Sequence, residues 1–156
     1  MYQKIMVPLD GSKLAECVLS HVETMIKVCE SPQVLFVQAV EPITIPYGIE
    51  AAKLTSLEQL TEFETRNKSD AEKYLKTIID RFKKSGVNAK ANVIFGKPAE
   101  VLSDFAAKNN VDLVVMATHG RSGIGRWVLG SVAEHLIHSI SVPVLIIRAP
   151  GCEISV

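Results

Sequence analysis

Apolar residues fall in short, nearly continuous runs, separated by longer stretches in which they recur every three or four positions. The first run is Lys4-Ile-Met-Val-Pro-Leu9, closed by Asp10-Gly-Ser12. The second, Gln33-Val-Leu-Phe-Val-Gln-Ala-Val40, has the unbroken apolar character of a strand covered on both faces. Further runs extend from Asn88 to Ile94, from Asp112 to Ala117 and from Val142 to Ile147. Between the first two, Leu14, Val18, Val22 and Met25/Ile26 form one helical stripe, with Ser12 placed to cap it. Ser56 opens a second helix, in which Gln59 completes a capping-box spacing. Ala71, Tyr74, Leu75, Ile78, Ile79 and Phe82 continue it at helical period until Ser85-Gly86. Pro98 suits the first turn of a third helix carrying Val101, Leu102, Phe105 and Ala106 and ending at Asn109-Asn110. A fourth carries Val132, Leu136, Ile137 and Ile140.

The order is βαβαβαβαβ. Strands separated by helices need crossover connections, so the pattern predicts an α/β fold, an open parallel five-stranded sheet with helices on both faces. A length of 156 residues suits a single domain over 1–156. In such sheets ligands sit beyond the carboxyl ends of the strands, where the strand order reverses. That rule places Asp10, Ala39 and the segment 118–130 at one crevice. The stretch from Glu41 to Thr55, with Pro42, Pro46 and Gly48, is long for a connection and has the length of a functional or mobile loop.

The chemistry concentrates in Met116-Ala-Thr-His-Gly-Arg-Ser-Gly-Ile-Gly-Arg-Trp-Val-Leu-Gly-Ser131. Gly120, Gly123, Gly125 and Gly130 follow a buried run and precede a helix. Glycine allows close approach of backbone N–H groups, and a helix start adds free donors and partial positive charge. Together they make an anion site, and phosphate is the usual anion. Arg121 and Arg126 are placed to add charge-assisted bonds. Gly125 and Gly130-Ser131 have the glycine spacing of a Walker loop, but no lysine follows Gly130, which argues against rapid nucleoside triphosphate hydrolysis. Ser131 and Glu134 also have capping-box spacing, so the Ser131 hydroxyl has two readings, cap and phosphate contact. Asp10 likewise reads as a turn residue or as a polar group facing a nucleoside.

Lys plus Arg and Asp plus Glu number 17 each, which gives no electrostatic support for nucleic acid or an anionic membrane as partner. No run approaches a membrane span, and the N-terminus lacks a signal-peptide pattern. Cys17, Cys29 and Cys152 have no metal or disulfide spacing, which fits a cytoplasmic protein with reduced thiols. The four histidines form no metal set.

Ile5-Met-Val-Pro-Leu-Asp-Gly-Ser12, the loop from Gly120 to Ser131, and Ser141-Val-Pro-Val-Leu-Ile-Ile147 together resemble the universal stress protein family, in its ATP-binding branch. That branch carries a glycine, two residues, a second glycine, nine residues, then glycine and Ser/Thr. Gly120 and Gly130-Ser131 match, and Ala117 replaces the first glycine. The resemblance implies the strand order 3-2-1-4-5. It places Pro8, Leu9, Asp10 and Ala39 around base and ribose, and Met116 and Ala117 beside the ribose. Gly120, Arg121, Ser122, Gly123, Gly130, Ser131 and Val132 would surround the phosphates of ATP, AMP or cyclic AMP, with Mg²⁺ as companion. It implies a homodimer through the strand from Val142 to Ile147, a stress-response or signalling role through a regulatory protein partner, and at most slow ATP hydrolysis. The competing readings are a nucleotide hydrolase or adenylyl-transferring enzyme and a non-nucleotide interaction module. The Ser-Gly-Gly-x-Asp-Ser loop of the ATP pyrophosphatases is not matched by Asp10-Gly-Ser-Lys-Leu14, and the module branch lacks a glycine-rich loop.

Overall fold

A computed structural model describes residues 1–30, 32–42, 57–118 and 130–148. Five strands, β1 (Lys4–Pro8), β2 (Gln33–Val40), β3 (Ala89–Phe95), β4 (Leu113–Thr118) and β5 (Val144–Arg148), form one sheet of order β3-β2-β1-β4-β5. All four pairings are parallel, with Pro8 opposite Val37 and Met6 opposite Val114. The helices are α1 (Leu19–Val28), α2 (Leu57–Lys84), α3 (Pro98–Lys108) and α4 (Ser131–Ser139).

Successive strand side chains point to opposite faces, and here both faces are apolar. Ile5, Val7, Val34, Phe36, Leu113 and Val115 pack with Val22 and Ile26 of α1 and Leu75, Ile79 and Phe82 of α2. Met6, Leu35, Val37, Val114 and Met116 pack on the other face with Leu102 and Ala106 of α3 and Ala133 and Leu136 of α4. The Phe36 and Phe82 rings lie 4.8 Å apart in a tilted arrangement. Each such side chain, fully buried, contributes roughly 1.5–3 kcal/mol.

The boundaries depart from the periodicity where side chains intervene. The Asp112 carboxylate accepts the Gln3 and Lys4 amides at 2.8 and 3.1 Å, so Asp112 ties down the start of β1 and β4 begins one residue later. Val142 and Pro143 precede β5, which starts at Val144; the Pro143 carbonyl accepts the Val114 amide. The Ser12 hydroxyl accepts the Ala15 amide at 3.0 Å, at the start of a short 3-10 helix, Ala15–Val18, that leads into α1; Leu14, not Ser12, holds its N-cap position. Ser56 and all but Glu41 and Pro42 of the 41–55 stretch lie outside the described residues. Among the described residues, no helix is long and apolar enough to cross a membrane.

Candidate functional site

The strand order reverses between β1 and β4, and their carboxyl ends open a crevice of about 310 Å³. That is at the small end of the roughly 300–1,000 Å³ typical of small-molecule sites. Pro8, Leu9 and Asp10 line it from β1, Ala39 from β2, and Met116, Ala117 and Thr118 from β4. Gly130, Ser131, Val132 and Ala133 close it from the start of α4, and Pro98 and Leu102 from α3. A wider depression of about 780 Å³ runs along α2 from Thr61 to Lys73. Its lining is one polar, solvent-facing side of a single helix, with no strand end or helix N-terminus contributing, so it offers no comparable site.

Each wall has a local cause. Leu9 leaves β1 with its amide donated to the Val37 carbonyl at 2.9 Å, which carries the chain over the end of β2. Asp10 then turns it: its Oδ1 accepts the Ser12 amide at 2.9 Å, and Gly11 adopts φ +84°. Asp10 is therefore the turn residue and a crevice residue at once, with one carboxylate oxygen engaged and the side chain exposed.

The start of α4 corrects the capping-box expectation for Ser131. Gly130 holds the N-cap position at φ −61°, ψ 153°, and Ser131 is already the first helical residue. A capping hydroxyl must come from the N-cap residue, so the Ser131 hydroxyl makes no cap bond and Gly130 has no side chain to offer. The Gly130 carbonyl accepts the Glu134 amide. The amides of Ser131, Val132 and Ala133 are left without a partner among the described residues, as the first turn of an uncapped helix leaves them.

On α2 the Tyr74 hydroxyl is buried, without a well-aligned hydrogen bond among the described residues. Burial first, then the charge of the Glu16 carboxylate and a hydrogen bond to it, and last the Asp10 carboxylate hold its ionisation well above the ordinary phenol range. The folded chain thus binds this proton more tightly than the unfolded chain does. The associated stability is present at neutral pH and is lost as pH rises beyond the unfolded phenol value of about 10. Tyr74→Phe is expected to flatten the alkaline fall in stability, because the group whose ionisation is opposed in the folded chain is removed. Urea denaturation at neutral pH and at about pH 10.5 compares the two chains; an equally steep fall in the variant would contradict the assignment.

Of the residues singled out in the sequence, Pro8, Leu9, Asp10, Ala39, Met116, Ala117, Gly130, Ser131 and Val132 meet at this crevice. Gly120, Arg121, Ser122 and Gly123, with Gly125, Arg126, His119 and Trp127, lie outside the described residues. Thr118, in the segment placed at the crevice from the sequence, lines it as expected; the sequence reading missed Leu14, Ala15 and Ala133, and also Pro98 and Leu102 of α3. Thr118 is two residues beyond Met116 on β4, and so shares its face. Pro98 and Leu102 had no signal, because only the tertiary packing of α3 brings them there.

A family model described as the universal stress protein family matches residues 1–148. Over 154 residues the chain is 31% identical to the universal stress protein MJ0531 of Methanocaldococcus jannaschii, covering 98% of this chain and 86% of that protein. The solved structure of the hypothetical protein MJ0577 of the same organism superposes with a TM-score of 0.78 at 26% identity, covering 97% of this chain and 99% of that one. A universal stress protein solved in complex with cAMP superposes with a TM-score of 0.67 at 20% identity, covering 95% and 98%.

Proposed function

Because the chain belongs to the universal stress protein family, we infer that it binds an adenine nucleotide, ATP in the first instance, in the crevice between β1 and β4. The observation that carries this reading is the union, in one crevice, of an apolar end with an uncapped helix N-terminus. Pro8, Leu9 and Ala39 offer apolar surface to a base, Asp10 offers acceptor oxygens to the base edge and ribose, and Met116 and Ala117 border the sugar. Gly130, Ser131 and Val132 offer amides to phosphate oxygens, where the helix dipole favours negative charge. Gly120, Arg121, Ser122 and Gly123 complete the phosphate cradle. A relative of the same fold solved with cAMP supports this class of ligand.

Mg²⁺ enters this reading on the phosphates, since no three His, Cys, Asp or Glu side chains stand together as ligands among the described residues. Hydrolysis is slow at most: no lysine follows Gly130, and Asp10 is the one ionisable side chain lining the crevice among the described residues. The nucleotide then acts as a signal in a stress response, transmitted to a protein partner. The free thiols of Cys17 and Cys29 suit a reducing, cytoplasmic setting. Two chains pair through the last strand: β5 is a sheet edge whose Val144, Leu145, Ile146 and Ile147 are only partly buried, and such edges invite pairing.

Isothermal titration of the full chain with ATP, AMP and cAMP, with sedimentation of the same sample, tests both parts. One nucleotide site per chain and a mass twice 17.0 kDa are expected. No heat with any of the three ends the nucleotide reading, and a single-chain mass ends the pairing.

A further inference from the structure

The geometry points to Gln38 as a positioning residue for the nucleotide: from the face of the sheet opposite α4 it seats the turn Asp10-Gly11-Ser12, and so fixes where the Asp10 carboxylate meets the nucleoside. This inference rests on the nucleotide reading above and adds to it a side chain that does not itself line the crevice. Gln38 lies on β2 two residues beyond Phe36 and shares its face, which packs against α1 and α2. Val34 and Phe36, the preceding residues of that face, are apolar and fully buried. Gln38 continues their stripe as a partly buried polar residue, and its Oε1 is fully buried with no hydrogen-bond partner among the described residues. An unpaired buried oxygen costs free energy that an apolar side chain avoids, so the carboxamide calls for a use at its other end.

That end faces the turn. Gly11 adopts φ +84°, and a β-carbon built on it would stand 3.8 Å from Gln38 Nε2, with no other contact inside 4 Å among the described residues. The Leu9 amide, donated to the Val37 carbonyl, brings the chain over the end of β2 beside Gln38. The turn then holds itself together. Asp10 Oδ1 accepts the Ser12 amide, the Ser12 hydroxyl accepts the Ala15 amide, and the Ser12 carbonyl accepts the Glu16 amide at 3.2 Å. Residues 10–16 are therefore one hydrogen-bonded piece, and its Asp10, Leu14 and Ala15 line the crevice. Those internal bonds fix its shape but not its seat on the sheet. Gln38 supports it from β2, and the Tyr74 hydroxyl of α2 lies beside Glu16 at its far end. Because Asp10 is the group that faces the nucleoside, a shift of this seat weakens the nucleoside contact and leaves the phosphate contacts at α4 as they are.

Gln38→Met keeps the length and approximate volume of the side chain and removes the carboxamide. Volume-conserving exchanges cost little stability, so it is expected to melt within a few degrees of the parent. It is also expected to bind adenosine, AMP and ATP about 3- to 10-fold more weakly, by the same factor for each. Asp10→Asn retains the Oδ1 bond to the Ser12 amide and replaces the other oxygen by a donor, so it removes the acceptor while keeping the turn. In that background Gln38→Met is expected to cost less than about twofold, because the contact through which it acts is already gone. A merely structural glutamine would weaken binding equally in both backgrounds. Gln38→Asn keeps the carboxamide but draws it back from Gly11 by one methylene, and it is expected to bind as weakly as Gln38→Met.

Titration calorimetry of the parent, Gln38→Met, Asp10→Asn and the double variant with adenosine, AMP and ATP, alongside thermal melts without ligand, reads these effects. Unchanged affinity in Gln38→Met overturns the inference alone and leaves the nucleotide site standing. So does a loss confined to AMP and ATP, which would place the effect at the phosphates, and so does an equal loss with and without the Asp10 exchange. If Gln38→Met does not fold, Gln38→Asn takes its place in the cycle under the same criteria. If the unaltered chain binds none of the three ligands, the nucleotide reading falls and this inference falls with it.

Discussion

Gly130→Glu is expected to cut ATP affinity by about 100-fold or more without lowering stability. Gly130 has the extended backbone of an N-cap, φ −61° and ψ 153°, which any residue adopts. A β-carbon added there meets nothing within 4 Å among the described residues, so the new side chain leaves the backbone into open space. A carboxylate at that position faces the positive end of the α4 dipole, an arrangement that stabilises a helix by roughly 0.3–1 kcal/mol. The same charge stands where a phosphate would be bound. Two unit charges about 4 Å apart repel by about 4 kcal/mol at the effective dielectric of a partly exposed site, which exceeds the threshold for a hundredfold loss. Gly130→Ala supplies the control: it adds a methyl group into open space and no charge, and its ATP affinity is expected to stay within about fivefold, under 1 kcal/mol. Calorimetric titration with ATP and thermal melts of all three chains separate the two effects. Tight ATP binding by a well-folded Gly130→Glu would show that the phosphates lie elsewhere.

How much of this was legible beforehand depends on the kind of information each feature uses. The strands stood out because Ile5-Met-Val7 and Val34-Leu-Phe-Val37 are buried on both faces and leave an unbroken apolar trace. Their ends were less legible, because Asp112 and Pro143 look like strand residues by polarity and neighbourhood alone. Asp112 instead spends its carboxylate on the Gln3 and Lys4 amides, more than a hundred residues away. Crossovers imply a parallel sheet but do not dictate which strand neighbours which, so the adjacency of β1 and β4 came from the family resemblance. The dual role of Asp10 was visible as two readings, and both hold at once in the turn geometry. Ser131 shows the opposite case. Its spacing to Glu134 satisfies the capping-box pattern, yet a shift of one residue in where α4 starts moves it from N-cap to first helical residue. Patterns of that kind carry no information about register.

Gly96→Ala is expected to be strongly destabilising, at about 2–5 kcal/mol, out of a total stability of about 5–15 kcal/mol for a domain of this kind. Gly96 links the end of β3 to α3, with φ +136°, a region that side-chain-bearing residues rarely enter. Its amide also donates to the Val40 carbonyl at 3.1 Å, which pins the turn to the end of β2. A β-carbon there falls inside contact distance of Val101 Cγ1, in the first turn of α3. Val101 cannot swing aside, because a β-branched side chain in a helix has essentially one χ1 rotamer. Two penalties therefore add, backbone strain of about 1–3 kcal/mol and overpacking of similar size. The pair Gly96→Ala and Val101→Ala separates them in a double-mutant cycle. Truncating Val101 removes the clash but leaves the backbone angle, so the double variant is expected to recover part of the loss and no more. Urea denaturation gives all four free energies. A cost below about 1 kcal/mol for Gly96→Ala would mean that the turn relaxes to another backbone angle. In that event Pro98 and Leu102, which follow directly on α3 and line the crevice, would shift with it.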